Sequence, residues 1–86
     1  MASYRIEFTR SAERDLRRLD RTMVPRVVAA IDALAEEPRP SGVKKLVGSE
    51  HTYRIRVGDY RVVYSIEDRL LVVLVERIRH RGEVYR

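Results

Sequence analysis

The sequence predicts an α+β domain: an antiparallel sheet of four to five strands, in the chain order β-α-α-β-β-β-β, with an N-terminal helical hairpin packed on one face. Three observations carry this. Residues 11–35 hold two apolar sets at i, i+3, i+4 spacing, the signature of amphipathic helices. Residues 53–66 alternate apolar and polar side chains on either side of Gly58-Asp59, as a two-residue hairpin does. A length of 86 residues leaves room for a single domain, so the helices and the strands share one core.

Tyr4–Phe8 alternates apolar and charged residues and reads as a half-buried strand. Ser11 is the expected cap of a short helix with Ala12, Leu16 and Leu19 on one face, and Glu13 and Arg17 stand at i, i+4. A second helix starts near Thr22, with Pro25 tolerated in its first turn. Its apolar set is Val24, Val27, Val28, Ile31, Leu34 and Ala35, and Pro38 and Pro40 end it. Ser41-Gly42 turns the chain into a short strand over 43–48. Strands Tyr53–Val57 and Tyr60–Ile66 follow, with Gly58 where a type II′ turn wants it. The last strand, Leu70–Arg79, opens with six apolar residues, which predicts a central position covered on both faces. A tail, His80–Arg86, closes the chain.

Composition narrows the function. One domain (1–86) excludes a two-domain enzyme, a solenoid or an ordinary dinucleotide fold. Without cysteine there is neither a disulfide framework nor a thiolate metal site, which suits a reducing cytosol. No signal-peptide pattern and no apolar run of membrane-spanning length occur, so a cytoplasmic protein with no membrane partner is expected. The formal charge is +5, unevenly distributed: residues 1–43 hold eight basic and seven acidic residues, residues 44–86 ten and six. A polyanion-binding surface in the second half follows from that asymmetry.

The hairpin localises it. A two-residue loop at Gly58-Asp59 sets Val57 opposite Tyr60, Arg56 opposite Arg61, Ile55 opposite Val62 and Tyr53 opposite Tyr64. The apolar residues then form one face and Arg54, Arg56 and Arg61 the other. Like charges across neighbouring strands destabilise a sheet, so the cluster implies either counter-charges, from Glu50, Glu76 or another acid, or an anionic ligand. Arginine suits phosphate because its planar fork donates bidentately. Arg77 and Arg79 share one side of the last strand, which either joins this face or, after a one-residue slip, leaves it.

The segment Tyr53-Arg-Ile-Arg-Val-Gly-Asp-Tyr-Arg-Val-Val-Tyr64, the terminal His80-Arg-Gly-Glu-Val-Tyr-Arg86, the Ser11–Leu16 motif Ser-Ala-x-x-Asp-Leu and Lys45-Leu-x-Gly48 together resemble the RelE group of the RelE/ParE toxin superfamily. The resemblance spans essentially the whole chain. It implies the toxin of a type II toxin–antitoxin system: a ribosome-dependent, metal-independent endoribonuclease that cleaves mRNA in the A site through its 2′-OH. A cognate RelB-like antitoxin, the ribosome and mRNA are the implied partners, and no small-molecule cofactor is. The implied backbone-gripping residues are Lys45, Arg54, Arg56 and Arg81. The implied catalytic set is Arg61, Arg79, His80 and Tyr85: Arg61 on the scissile phosphate, Tyr85 as general base, and Arg79 or His80 at the leaving group.

Residue chemistry fits that set. The sequence has no His or carboxylate cluster at metal-ligand spacing. Clustered arginines favour a phenolate at Tyr85, and histidine donates a proton more readily than arginine; the choice between Arg79 and His80 stays open. His51 reads as a solvated loop residue. The alternatives are a ParE-like toxin that inhibits DNA gyrase without nuclease activity, and a non-catalytic RNA-binding module, for which stacking aromatics are sparse.

Overall fold

The computed structural model describes residues 3–80. β1 (Arg5–Phe8) leads into α1 (Arg10–Arg17) and α2 (Val24–Ala33), and then β2 (Lys44–Lys45), β3 (Thr52–Val57), β4 (Tyr60–Glu67) and β5 (Val72–His80) follow. The expected element order holds. The five strands form one sheet in the order β1-β5-β4-β3-β2. It is mostly antiparallel, but β1 runs parallel to β5, from Arg5 opposite Val72 to Phe8 opposite Val75. A parallel pair needs a crossover, and here everything between β1 and β5 supplies it.

The helices begin where capping allows. Thr9, not Ser11, caps α1: it leaves β1 in an extended conformation and its Oγ1 accepts a hydrogen bond from Ala12 N at 3.0 Å. Ser11 is already one residue inside the helix. Pro25 sits in the first turn of α2 as expected. That helix ends before either proline, its exit tightened by bonds from Leu34 N to Ile31 O and from Ala35 N to Asp32 O.

The hairpin register is the expected one, from Val57 opposite Tyr60 to Tyr53 opposite Tyr64. Gly58 takes φ +60, a backbone conformation that favours glycine at this turn, and it lies under the flexible end of the Met23 side chain. One sheet face, with Ile55, Val57, Val62, Tyr64, Ile66, Val73, Val75 and Ile78, meets Ala12, Leu19, Val27, Ile31 and Leu34 in the core.

β5 departs from expectation at its start. Leu70 and Leu71 belong to the turn, 69% and 37% exposed, with Leu71 at φ +54. The apolar run therefore spans a turn and a strand. β5 lies between β1 and β4, but helices cover one face only and Leu74 on the other is half-buried.

Behind the sheet, a polar knot fixes the chain after α2. Arg39 forks onto Asp68 at 3.2 and 2.9 Å, Tyr4 Oη donates to Asp68 at 2.7 Å, and Tyr64 Oη donates to Pro38 O at 2.7 Å.

Candidate nucleic-acid interface

The face away from the helices carries the charge, and strand pairing sorts it into two rows. In the first, Arg56 on β3 pairs with Arg61 on β4, which pairs with Arg79 on β5. In the second, Lys44 on β2 pairs with Arg54 on β3, then Val63 and Arg77. Neighbouring strands are about 4.8 Å apart, so three arginines cross the sheet in adjacent register. Gly42, Lys44, Arg54, Ile55, Arg56 and Arg61 line a shallow basin of ≈ 150 Å³.

Among the described residues no carboxylate lies within 4 Å of the Lys44, Arg54 or Arg56 side-chain nitrogens; the ion pairs at that range are Arg5–Glu7, Arg39–Asp68 and Arg77–Asp15. Neither Glu50 nor Glu76 neutralises Arg54 or Arg56. Guanidinium forks on adjacent strands have the geometry to meet the tetrahedral oxygens of a phosphodiester.

Arg77 is held differently. Its Nε and Nη2 donate to Asp15 on α1 at 2.8 and 3.3 Å, and Ile78 N donates to the same carboxylate at 2.9 Å. Burial on its own would raise the Asp15 pKa. The Arg77 hydrogen bond, the Ile78 N–H and the charges of Arg77 and Arg79 outweigh it and hold the carboxyl below its ordinary value. A lowered folded-state pKa stabilises the fold above the unfolded value and stops doing so as pH falls through the folded one. Asp15→Asn should therefore lower the urea midpoint at pH 7, and the gap from wild type should close below pH ~4. A gap that persists unchanged to pH 2 counts against this assignment.

The structure brings Arg54, Arg56, Arg61 and Arg79 onto one face. His80 pairs with Tyr60, a residue of the opposite face, and meets its ring edge-on at 5.2 Å between centroids. Arg79, not His80, therefore stands beside Arg61. Lys45 pairs with Tyr53, off the arginine face, whereas Lys44 pairs with Arg54 on it. Lys44 was missed because a two-residue strand has no alternation of its own to read; only its register with β3 reveals it. His51 is exposed in its loop, as expected. Arg81 and Tyr85 lie outside the described residues. Among those described, no three His, Asp or Glu side chains gather as a metal site, and no helix is long and apolar enough to cross a membrane.

Comparison with known proteins identifies the fold. Residues 6–85 match the family described as the ParE toxin of type II toxin-antitoxin systems, parDE. Toxin RelG of Mycobacterium tuberculosis is 35% identical over 96% of this chain and 97% of its own. The toxin–antitoxin complex RelBE2 of the same organism superposes with a TM-score of 0.82 at 33% identity, covering 96% of this chain and 97% of that one. The isolated RelE toxin of E. coli gives 0.81 at 30% identity, covering 96% and 92%.

Proposed function

Since the chain belongs to the RelE/ParE superfamily, as a toxin of a type II toxin–antitoxin system, we propose that it is a ribosome-dependent endoribonuclease that cleaves mRNA in the A site and so stops translation. The observation that carries this reading is the cross-strand row Arg56, Arg61 and Arg79 on an open sheet face. Guanidinium groups on adjacent strands of one face suit a phosphodiester, whose oxygens accept from planar forks, and among the described residues no carboxylate lies within 4 Å of Arg54 or Arg56 on that face.

In the proposed reaction Lys44, Arg54 and Arg56 hold backbone phosphates flanking the scissile one. Arg61 and Arg79 donate to its non-bridging oxygens. The RNA 2′-oxygen loses its proton to Tyr85, the base the resemblance implies, and attacks phosphorus. The P–O5′ bond breaks, leaving a 2′,3′-cyclic phosphate and a 5′-hydroxyl. Charge accumulates on the phosphorane, where preorganised donors contribute most. Arg79 stands on the reacting face, so it stabilises the departing 5′-oxygen electrostatically while solvent supplies the proton. No metal enters this step. The ribosome contributes by fixing the mRNA in an attack geometry, an orientation effect worth several orders of magnitude. A RelB-like antitoxin is the proposed partner, in keeping with the RelBE2 complex.

Mapping of mRNA 5′ ends after incubation with translating ribosomes tests this. Cuts are expected at A-site codons, with little cleavage of free RNA, and Tyr85→Phe should slow single-turnover cleavage by ~10²-fold or more. Efficient cutting of naked RNA, or no cutting at all, overturns the reading. The family model's ParE description favours one alternative, a gyrase inhibitor. Loss of gyrase supercoiling at stoichiometric toxin, with intact mRNA, would identify it.

A further inference from the structure

The identity of the residue beside Arg61 depends on a single extra residue in β5. Val73 and Val75 face the core, and so does Ile78, which the alternation of an unbroken strand would forbid. The register slips between Val63 and Tyr64: Tyr64 pairs with Val75, but Val63 pairs with Arg77, leaving Glu76 as a bulge. Beyond it Ile78 returns to the core and Arg79 reaches the arginine face. Without the bulge Val63 would pair with Glu76 and Arg61 with Ile78, so every side chain after residue 75 would change face and Arg79 would turn to the core side opposite Tyr60.

The bulged stretch has strand support on one side only, because β1 covers just Val72–Val75. On the other side stands α1. Thr9 Oγ1 donates to Glu76 O at 2.9 Å, and Asp15 accepts from Ile78 N at 2.9 Å and from the Arg77 side chain. Thr9 is also the cap of α1, so both contacts are fixed to one rigid helix and span the bulge like two pins. The Asp15 side chain is only 12% exposed, and its three bonds all go to Arg77 and Ile78, the residues between the bulge and Arg79.

We propose that α1 is a register clamp for β5, in which Asp15 is a positioning residue that holds Arg79 opposite Arg61. This rests on the cleavage reading above for its catalytic consequence, though not for the clamp itself. Amide hydrogen exchange and single-turnover cleavage on programmed ribosomes test it together. Ile78 turns its N–H outward to Asp15, so Arg79 turns its own inward to β4. In Asp15→Ala the Arg79 amide should exchange about tenfold faster or more, while the amides of Tyr64 and Ile66 keep wild-type rates. The cleavage rate per folded molecule should fall by about 10- to 100-fold with little change in KM, as for a misplaced catalytic group. Adding Asp15→Ala to Arg79→Ala should cost nothing further, because both changes disable the same group. Asp15→Asn, which keeps one acceptor for Ile78 N, should show the same pattern in weaker form and decides the matter if the alanine variant does not fold.

Unchanged Arg79 exchange overturns the clamp. Full additivity in the double variant overturns its link to Arg79. If Arg61→Ala leaves cleavage intact, the cleavage reading falls, and the exchange result still decides whether α1 sets the register.

Discussion

Arg61→Ala should reduce mRNA cleavage on programmed ribosomes by about 10²- to 10³-fold, the usual cost of removing one preorganised donor from a developing oxyanion. Its effect on stability should be small and of either sign, within about 0.5 kcal/mol. Arg61 faces Arg56 on one side and Arg79 on the other, so its removal relieves two like-charge contacts as well as losing packing. Arg79→Ala should produce a similar loss of rate. His80→Ala should change it only a few-fold, since His80 pairs with Tyr60 on the opposite face. Single-turnover rates alongside thermal unfolding read both quantities. A fully active Arg61→Ala variant, or one whose lost activity simply tracks lost fold, removes Arg61 from the reaction.

Tyr64→Ala should be the most destabilising single substitution among the strand residues, at about 3–5 kcal/mol by analogy with other large aromatics. Tyr64 is fully buried, stacks on Tyr53 with ring centroids 6.1 Å apart, and donates to Pro38 O at 2.7 Å. Tyr64→Phe isolates the hydroxyl: it leaves the ring and removes one buried bond, for about 1 kcal/mol. The same contact makes a pH prediction. Burial, chiefly, pushes the Tyr64 phenol up to about 12, against the pull of Arg39. Because the folded value lies above the ordinary ~10, stability is full below pH 10 and declines as pH rises toward 12. Tyr64→Phe should flatten that alkaline decline in denaturant titrations. An identical alkaline limb in both proteins would mean another group causes it.

The elements visible in the sequence were those with a periodicity of their own. The β3–β4 hairpin was legible residue by residue because Gly58-Asp59 fixed the loop length, and loop length fixes register. Arg54, Arg56 and Arg61 followed directly. The limits lie where register comes from tertiary contact. Arg79 against His80 turned on the bulge at Glu76, whose one local mark is the break in apolar alternation between Val75 and Ile78; the contacts that flank it come from Thr9 and Asp15 at the other end of the chain. Lys44 and Lys45 differ only in which residue of β3 each one faces. The parallel partnership of β1 was hidden too, since strand alternation says nothing about direction. Leu70 and Leu71 extended an apolar run into a turn, where composition alone reads as strand.

The docking of β1 and α1 onto β5 has a consequence for how the protein is made. Thr9 and Glu76, which bond each other, are 67 residues apart in sequence. Early in synthesis β1 has no strand to pair with and the clamp has nothing to grip. The sheet closes only after β5 is released, and such long-range closure is slow compared with local helix formation. Arg79 reaches its place at that same late moment. The row of Arg56, Arg61 and Arg79 is therefore among the last features of the fold to be assembled.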